Sequence, residues 1–221
     1  MNEFFSYFNS QDPEIVSTSV KLLLLLTVLS LAPAILILLT SFTRVVIVLA
    51  FVRTGLGTNQ TPPTQIIIGL ALFITFFIMA PTFHKVHEDA LEPLFANEIQ
   101  LEEAYERAAI PFKEFMAKHT RQKDLALFLN YSGAEKPETI HDIPMTALIP
   151  AFVISELKTA FQMGFMIFIP FLVIDMIVAS VLMSMGMMML PPVMISLPFK
   201  ILLFVLVDGW YLVVGSLLQS Y

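Results

Sequence analysis

Apolar positions gather into four long segments, separated by polar stretches of unequal length. Residues 22–39 form an almost unbroken apolar run, opened by Lys21. That run suits a hydrocarbon core about 30 Å thick, and Pro33 inside it predicts a kink. Residues 1–20 are polar and acidic, with Glu3, Asp12 and Glu14. They lack the positive region that opens a secretion signal, so the run reads as a retained membrane helix. Apolar character continues from Phe42 to Val52, with Arg44 and Arg53 embedded. The stretch GLGTNQTPP at 55–63 then reads as a turn from its Gly, Pro and short polar residues. A second apolar segment at 66–83 completes a hairpin of two helices. The connection holds two arginines and no acid, which favours its cytoplasmic placement and puts the N-terminus and the next polar stretch outside.

From His84 to Met145 acids outnumber bases. Leu101, Tyr105, Ala108, Phe112 and Phe115 recur at helical spacing, which predicts an amphipathic helix that Pro111 bends or divides. Residues 131–144 (YSGAEKPETIHDIP) read as a loop. The last third returns to apolar character at 161–183, turns at SMGMMMLPP (184–192), and ends in a segment over 195–218. The fold expected is all-α: an integral membrane protein of helical hairpins, with about four apolar segments kinked by prolines, and a small helical extracytoplasmic domain. Its boundaries fall at 1–83 for the first hairpin, 84–145 for the polar domain, and 146–221 for the second hairpin. No internal repeat is evident.

Composition agrees. Hydrophobic residues make up 57% of the chain and charged residues 14%, against about 25% charged in an ordinary soluble domain. Mean hydropathy is +0.81. With no cysteine, the chain offers no disulfide, thiol nucleophile or Cys-ligated zinc site. A net charge of −6 excludes nucleic acid as a partner, since phosphate binding requires clustered Lys and Arg.

Charges in or beside apolar segments are the first candidates for function. A charge at a bilayer centre costs about 3 kcal/mol on insertion scales, so it needs a partner or water. Glu156, Lys158, Asp175, Lys200 and Asp208 are in this position, as are Arg44 and Arg53. Glu156 and Lys200 open adjacent segments with opposite charge and form a candidate pair, within one subunit or between two. Glu156 and Lys158, two apart, face different sides of a helix. A proton relay through Asp175 and Glu156, as in a small-solute transporter, is the alternative use of such charges.

Met183, Met185, Met187, Met188 and Met189 crowd one turn around Gly186. Methionine is unbranched and soft, so it fills irregular gaps; a ring of such loops would form a deformable hydrophobic constriction that closes a pore by excluding water. His84 and His87 with Glu88 could approach a metal, but no further ligand has matching spacing, and a solvated or capping role fits them better. No catalytic or nucleotide-binding motif is present, so neither enzyme chemistry nor a cofactor is expected.

The long motifs TSFTRVVIVLAFVRTGLGTNQTPP from Thr40, IGLALFITFFIMAP from Ile68, FVISELKTAFQMGF from Phe152, PFLVIDMIVASVLMSMGMMMLPPVMISLPFK from Pro170, and VDGWY from Val207 closely resemble the FliP family over nearly the whole chain. The resemblance implies a core subunit of the flagellar type III export gate in the bacterial inner membrane, at the flagellar basal body. Several copies would assemble with two smaller relatives, FliQ and FliR, and with other export membrane proteins, among membrane lipid. Around a central path they would pass unfolded flagellar subunits, with helices partly lifted out of the bilayer. It further implies that the methionine loop closes that path and that a Glu156–Lys200 pair falls between neighbouring subunits.

Overall fold

The computed structural model describes residues 23, 26–27, 30–58, 60–133, 137–187 and 189–221. The acidic stretch expected at 1–20, and Met188 of the methionine turn, lie outside the described residues. The chain forms two compact units, residues 1–38 and 39–221. In the first, the described residues are helical, and Leu23, Leu26, Leu31, Ile35 and Ile37 are exposed.

The second unit is built from helices, and no strand occurs among the described residues. We number the helices from α1 (Phe42–Leu56) through α2 (Thr64–Val86), which continues by a π turn (His87–Leu91) into the short α3 (Glu92–Phe95). The polar stretch supplies α4 (Leu101–His119), α5 (Gln122–Ser132) and a 3-10 turn at Ile140–Asp142. The 40-residue α6 (Met145–Ser184) follows, then α7 (Pro192–Leu206) and α8 (Gly209–Gln219).

Two helical runs, Thr64–Phe95 and Met145–Ser184, are long and apolar enough to cross a membrane, and up to four spans result if two broken helix pairs each count as one. At 1.5 Å per residue α6 is about 60 Å long, twice the thickness of a hydrocarbon core. It begins well before the apolar segment expected at 161–183. Residues Ala147, Ala151 and Ser155, with Leu148, Phe152 and Glu156 beside them, are buried at four-residue spacing. The helix therefore extends by packing two adjacent rows against protein, a signal that hydropathy alone does not register.

Other expectations change on contact with tertiary structure. The connection carrying Arg44 and Arg53 is itself helical: both lie within α1. That helix stops at Gly57, whose left-handed backbone (φ 73°) lets its N–H reach the Thr54 carbonyl. Pro111 is buried inside α4 without dividing it. The buried face of α4 runs through Ala104, Pro111 and Met116, leaving Leu101 and Tyr105 exposed. The final apolar segment is two helices, α7 and α8, meeting at 61°. The break falls at Asp208, in left-handed backbone at φ 50°. A side chain on the next residue, Gly209, would meet the Phe204 ring at 2.3 Å.

One apolar core joins α1, α2, α6, α7 and α8 through residues such as Val45, Leu49, Ile74, Phe171, Phe204 and Val213. A second core, under the polar helices, joins Met116, Ile143, Leu148 and Phe152. Glycine sets how closely α1 and α6 approach: Gly164 leaves room for Phe51, and Gly55 for Phe171.

Candidate functional site

Three features organise the chemistry of this unit. The first is a buried charge cluster where α1 and α6 meet the polar helices. Arg44 sits on the core side of α1 at 3% exposure, and Glu156 is fully buried on α6. Arg44 Nε donates to Glu156 Oε2 at 3.0 Å while Nη2 donates to Oε1, a two-pronged pair. Arg44 Nη1 donates to the carbonyl and the hydroxyl of Ser220, both at 3.0 Å. The Tyr221 hydroxyl donates to Glu156 as well, and its ring lies 3.9 Å from the Arg44 guanidinium carbon. Ring stacking adds the cation–π attraction of a desolvated guanidinium. His119 from α4 closes the cluster, its ring centroid 4.8 Å from that of Tyr221. Burial, then the charges of Arg44 and Lys118, push the His119 pKa down to about 4, so the ring is neutral at physiological pH.

The second feature is a charge pair lower on the same helices. Lys200 Nζ on α7 donates to Asp175 Oδ2 on α6 at 2.6 Å and to the Gly55 carbonyl of α1 at 3.1 Å. Ser196, one turn before Lys200, donates to the other Asp175 oxygen. Lys200 is buried, whereas the Asp175 side chain keeps 28% of its surface.

These partners correct the expected pairing within the chain. Glu156 and Lys200 do not meet: Glu156 bonds Arg44, and Lys200 bonds Asp175. Asp175 lies nineteen residues beyond Glu156 on one helix, about 28 Å at 1.5 Å per residue, so Lys200 cannot serve both acids. Each acid takes the cation at its own level along α1 and α7.

The third feature is the methionine turn between α6 and α7. Met183, Met185 and Met187 are exposed, and Met189 is 99% exposed. Gly186 (φ 74°) reverses the chain there. None of the four packs into either core of the unit.

Of the remaining candidates, Lys158 is exposed on α6 and its nearest charges include Arg121 and Lys123. Arg53 donates to Thr64 Oγ1 at 3.0 Å. Asp208 is exposed at the α7–α8 break. His84 pairs with Glu88 at 3.1 Å on the surface, and no metal-binding group of three His, Asp or Glu occurs among the described residues.

Sequence reasoning missed Ser220, Tyr221 and His119, because a polar residue at a helix end carries no signal of its partner. It also missed a small polar lock: Ser155 donates to Asp124 Oδ2 at 2.6 Å and accepts from the Arg121 N–H at 3.0 Å. Burial pushes the Asp124 carboxyl up, but hydrogen bonds from Ser155 and Arg121 outweigh it and hold the carboxyl below its usual range.

The FliP family model matches residues 25–217, nearly the whole chain. The chain belongs to the FliP family. Flagellar biosynthetic protein FliP of Bacillus subtilis (strain 168) is 72% identical over 221 residues, spanning 100% of both chains. Its counterpart in Aquifex aeolicus (strain VF5) is 53% identical over 92% of this chain and 86% of its own length. That of Pectobacterium carotovorum subsp. carotovorum is 54% identical over 92% of this chain and 79% of its own. As a FliP-family member the chain is a flagellar biosynthesis protein with a role in export, one component of a larger apparatus and not an enzyme. Its apolar helices associate it with a membrane.

Proposed function

We propose that this FliP-family chain is a core subunit of the flagellar export gate in the bacterial inner membrane. Copies assemble with one another and with FliQ, FliR and other export membrane proteins into a channel for unfolded flagellar subunits. The observation that carries this reading is the methionine turn: soft apolar side chains, exposed at 99% for Met189, between two apolar helices. An apolar turn of this kind gains nothing from the chain's own core and becomes useful when several converge on an axis. The ring they form closes by dewetting and yields to a passing polypeptide, because methionine repacks cheaply.

In this reading the buried pairs Arg44–Glu156 and Lys200–Asp175 brace the wall, and Asp208, Arg53 and Lys158 remain available to other surfaces. The polar helices of 84–145 form the outward-facing rim of the assembly. Conductance of membranes holding the assembled complex tests the reading. Met187, Met188 and Met189 changed together to Ala should admit ions while the native complex stays tight. An intact complex that remains tight after the change would remove the turn as the seal.

A further inference from the structure

The charges in the apolar part of the molecule do not all cancel within the chain. Arg44 pairs with Glu156 and Lys200 with Asp175. Arg53 and Asp208 are left over: among the described residues neither forms an ion pair, and the only side-chain bond of Arg53 runs to the Thr64 hydroxyl. Among the described residues Asp208 has no side-chain partner, and it sits among exposed Val205, Leu206, Val207, Tyr211 and Leu212. A carboxylate centred on an exposed apolar patch is costly against lipid, so the patch is a surface that another protein covers and to which it brings a cation.

The heights of the two residues along α6 identify that cation. Arg53 lies between Phe51, whose ring meets Gly164, and Gly55, whose neighbours are Phe168 and Phe171. Asp208 lies between Phe204, whose ring is 6.1 Å from that of Phe171, and Leu212 and Val213, which share a cavity with Met163 and Ile167. Both charges therefore fall at the level of residues 164–171 of α6. Lys158, the cation of α6 that forms no ion pair among the described residues, lies about 15 Å away along that helix, ten residues at 1.5 Å each. Copies related by rotation about an axis running along the helices keep equal heights, so level-matched residues on different faces come together in a head-to-tail ring.

We propose that Arg53 of one copy pairs with Asp208 of the next copy of this chain, an ion pair that fixes the height and neighbour of each subunit in the ring. The left-handed backbone at Asp208 is part of the device. A φ of 50° is tolerated by Asp and Asn better than by other side chains, so the break can carry a charge where glycine would otherwise serve. The inference rests on the self-assembly proposed above.

The chain has no cysteine, which makes disulfide trapping free of background. Arg53→Cys and Asp208→Cys chains are produced together with the assembly partners in one cell, each differently tagged, and membranes are oxidised. The expected product is a two-chain disulfide carrying both tags, absent when either variant is produced alone. Separately, Arg53→Gln and Asp208→Asn, the latter keeping the tolerance of the left-handed backbone, should each lower complex yield at least tenfold, and the two together should lower it little further. A multi-copy complex that shows neither the disulfide nor these losses overturns this pair and leaves the gate reading standing. A chain recovered only as single copies overturns both.

Discussion

Arg44 and Glu156, 112 residues apart in sequence, meet through two side-by-side hydrogen bonds in a pocket that admits no solvent to the carboxylate. Ser220 and Tyr221 cover the pair, so α6 and the 220–221 stretch both converge on the Arg44 guanidinium of α1, with His119 of α4 packed against Tyr221. Such a pair is asymmetric in energy. Forming it returns little beyond the desolvation of both ions, whereas removing one partner strands the other. Glu156→Ala should therefore destabilise the fold by about 3–5 kcal/mol. A joint Arg44→Met, Glu156→Leu change should cost much less. Thermal unfolding of the detergent-solubilised chain measures both; a double variant as weak as the single one would contradict this account.

The approach of α1 to α6 depends on the missing side chain at Gly164. A Cβ there would stand 2.4 Å from the Phe51 ring, which is itself packed edge-on against Phe161 at 5.5 Å. The aromatic pair leaves the ring little room to retreat. Gly164→Ala should cost about 1–3 kcal/mol, the usual range for an overpacked core, and Phe51→Leu in the same chain should recover part of it. Equal melting of Gly164→Ala and the native chain would show that the helices separate freely.

Acid should weaken the polar end of the unit through His119. Its pKa is lowered in the folded chain to about 4 from an ordinary 6.5. Between those values the unfolded chain binds the proton and the folded chain does not, so stability falls as the pH drops through that window and is unaffected above it. Burial is the largest cause, followed by Arg44 and Lys118. Melting temperature followed from pH 7 to 4 should decline less steeply in His119→Gln than in the native chain. Parallel curves would assign the acid sensitivity to other groups. Asp124 acts in a lower window: its carboxyl, held below the usual range by Ser155 and Arg121, contributes above that range and loses its effect only as the pH falls through its own lowered pKa.

Much of this fold is written in the hydropathy of the chain, because segments such as 66–83 are apolar on all sides and can form only buried or membrane helices. Helix ends were less legible. The start of α6 at Met145 depends on the small residues Ala147, Ala151 and Ser155, buried beside Leu148 and Phe152, and small residues give weak signals. The break at Asp208 depends on the fit of Phe204 against Gly209, a contact between side chain and backbone that no periodicity encodes. For charges, the sequence shows which residues need partners but not who supplies them. Glu156 and Lys200 stand out in the sequence as charges that need partners, yet within the chain Glu156 takes Arg44 and Lys200 takes Asp175.

Oxidation offers a test of the methionine turn that leaves its sequence untouched. Met183, Met185, Met187 and Met189 are exposed, so mild peroxide should reach them before the buried Met79 and Met116. Sulfoxide turns a soft apolar side chain into a polar one, and a constriction that closes by excluding water fails once its lining attracts water. Oxidised complexes should therefore conduct ions, and methionine sulfoxide reductase should reverse the leak. A chain with all five methionines of the turn changed to Leu keeps an apolar lining that peroxide cannot alter, so it should stay tight under the same treatment. Leu is stiffer and branched, so the same variant should pass flagellar subunits more slowly, because the seal yields less readily. A leak that appears equally in the Leu variant would place the oxidised residue elsewhere and detach the turn from the seal.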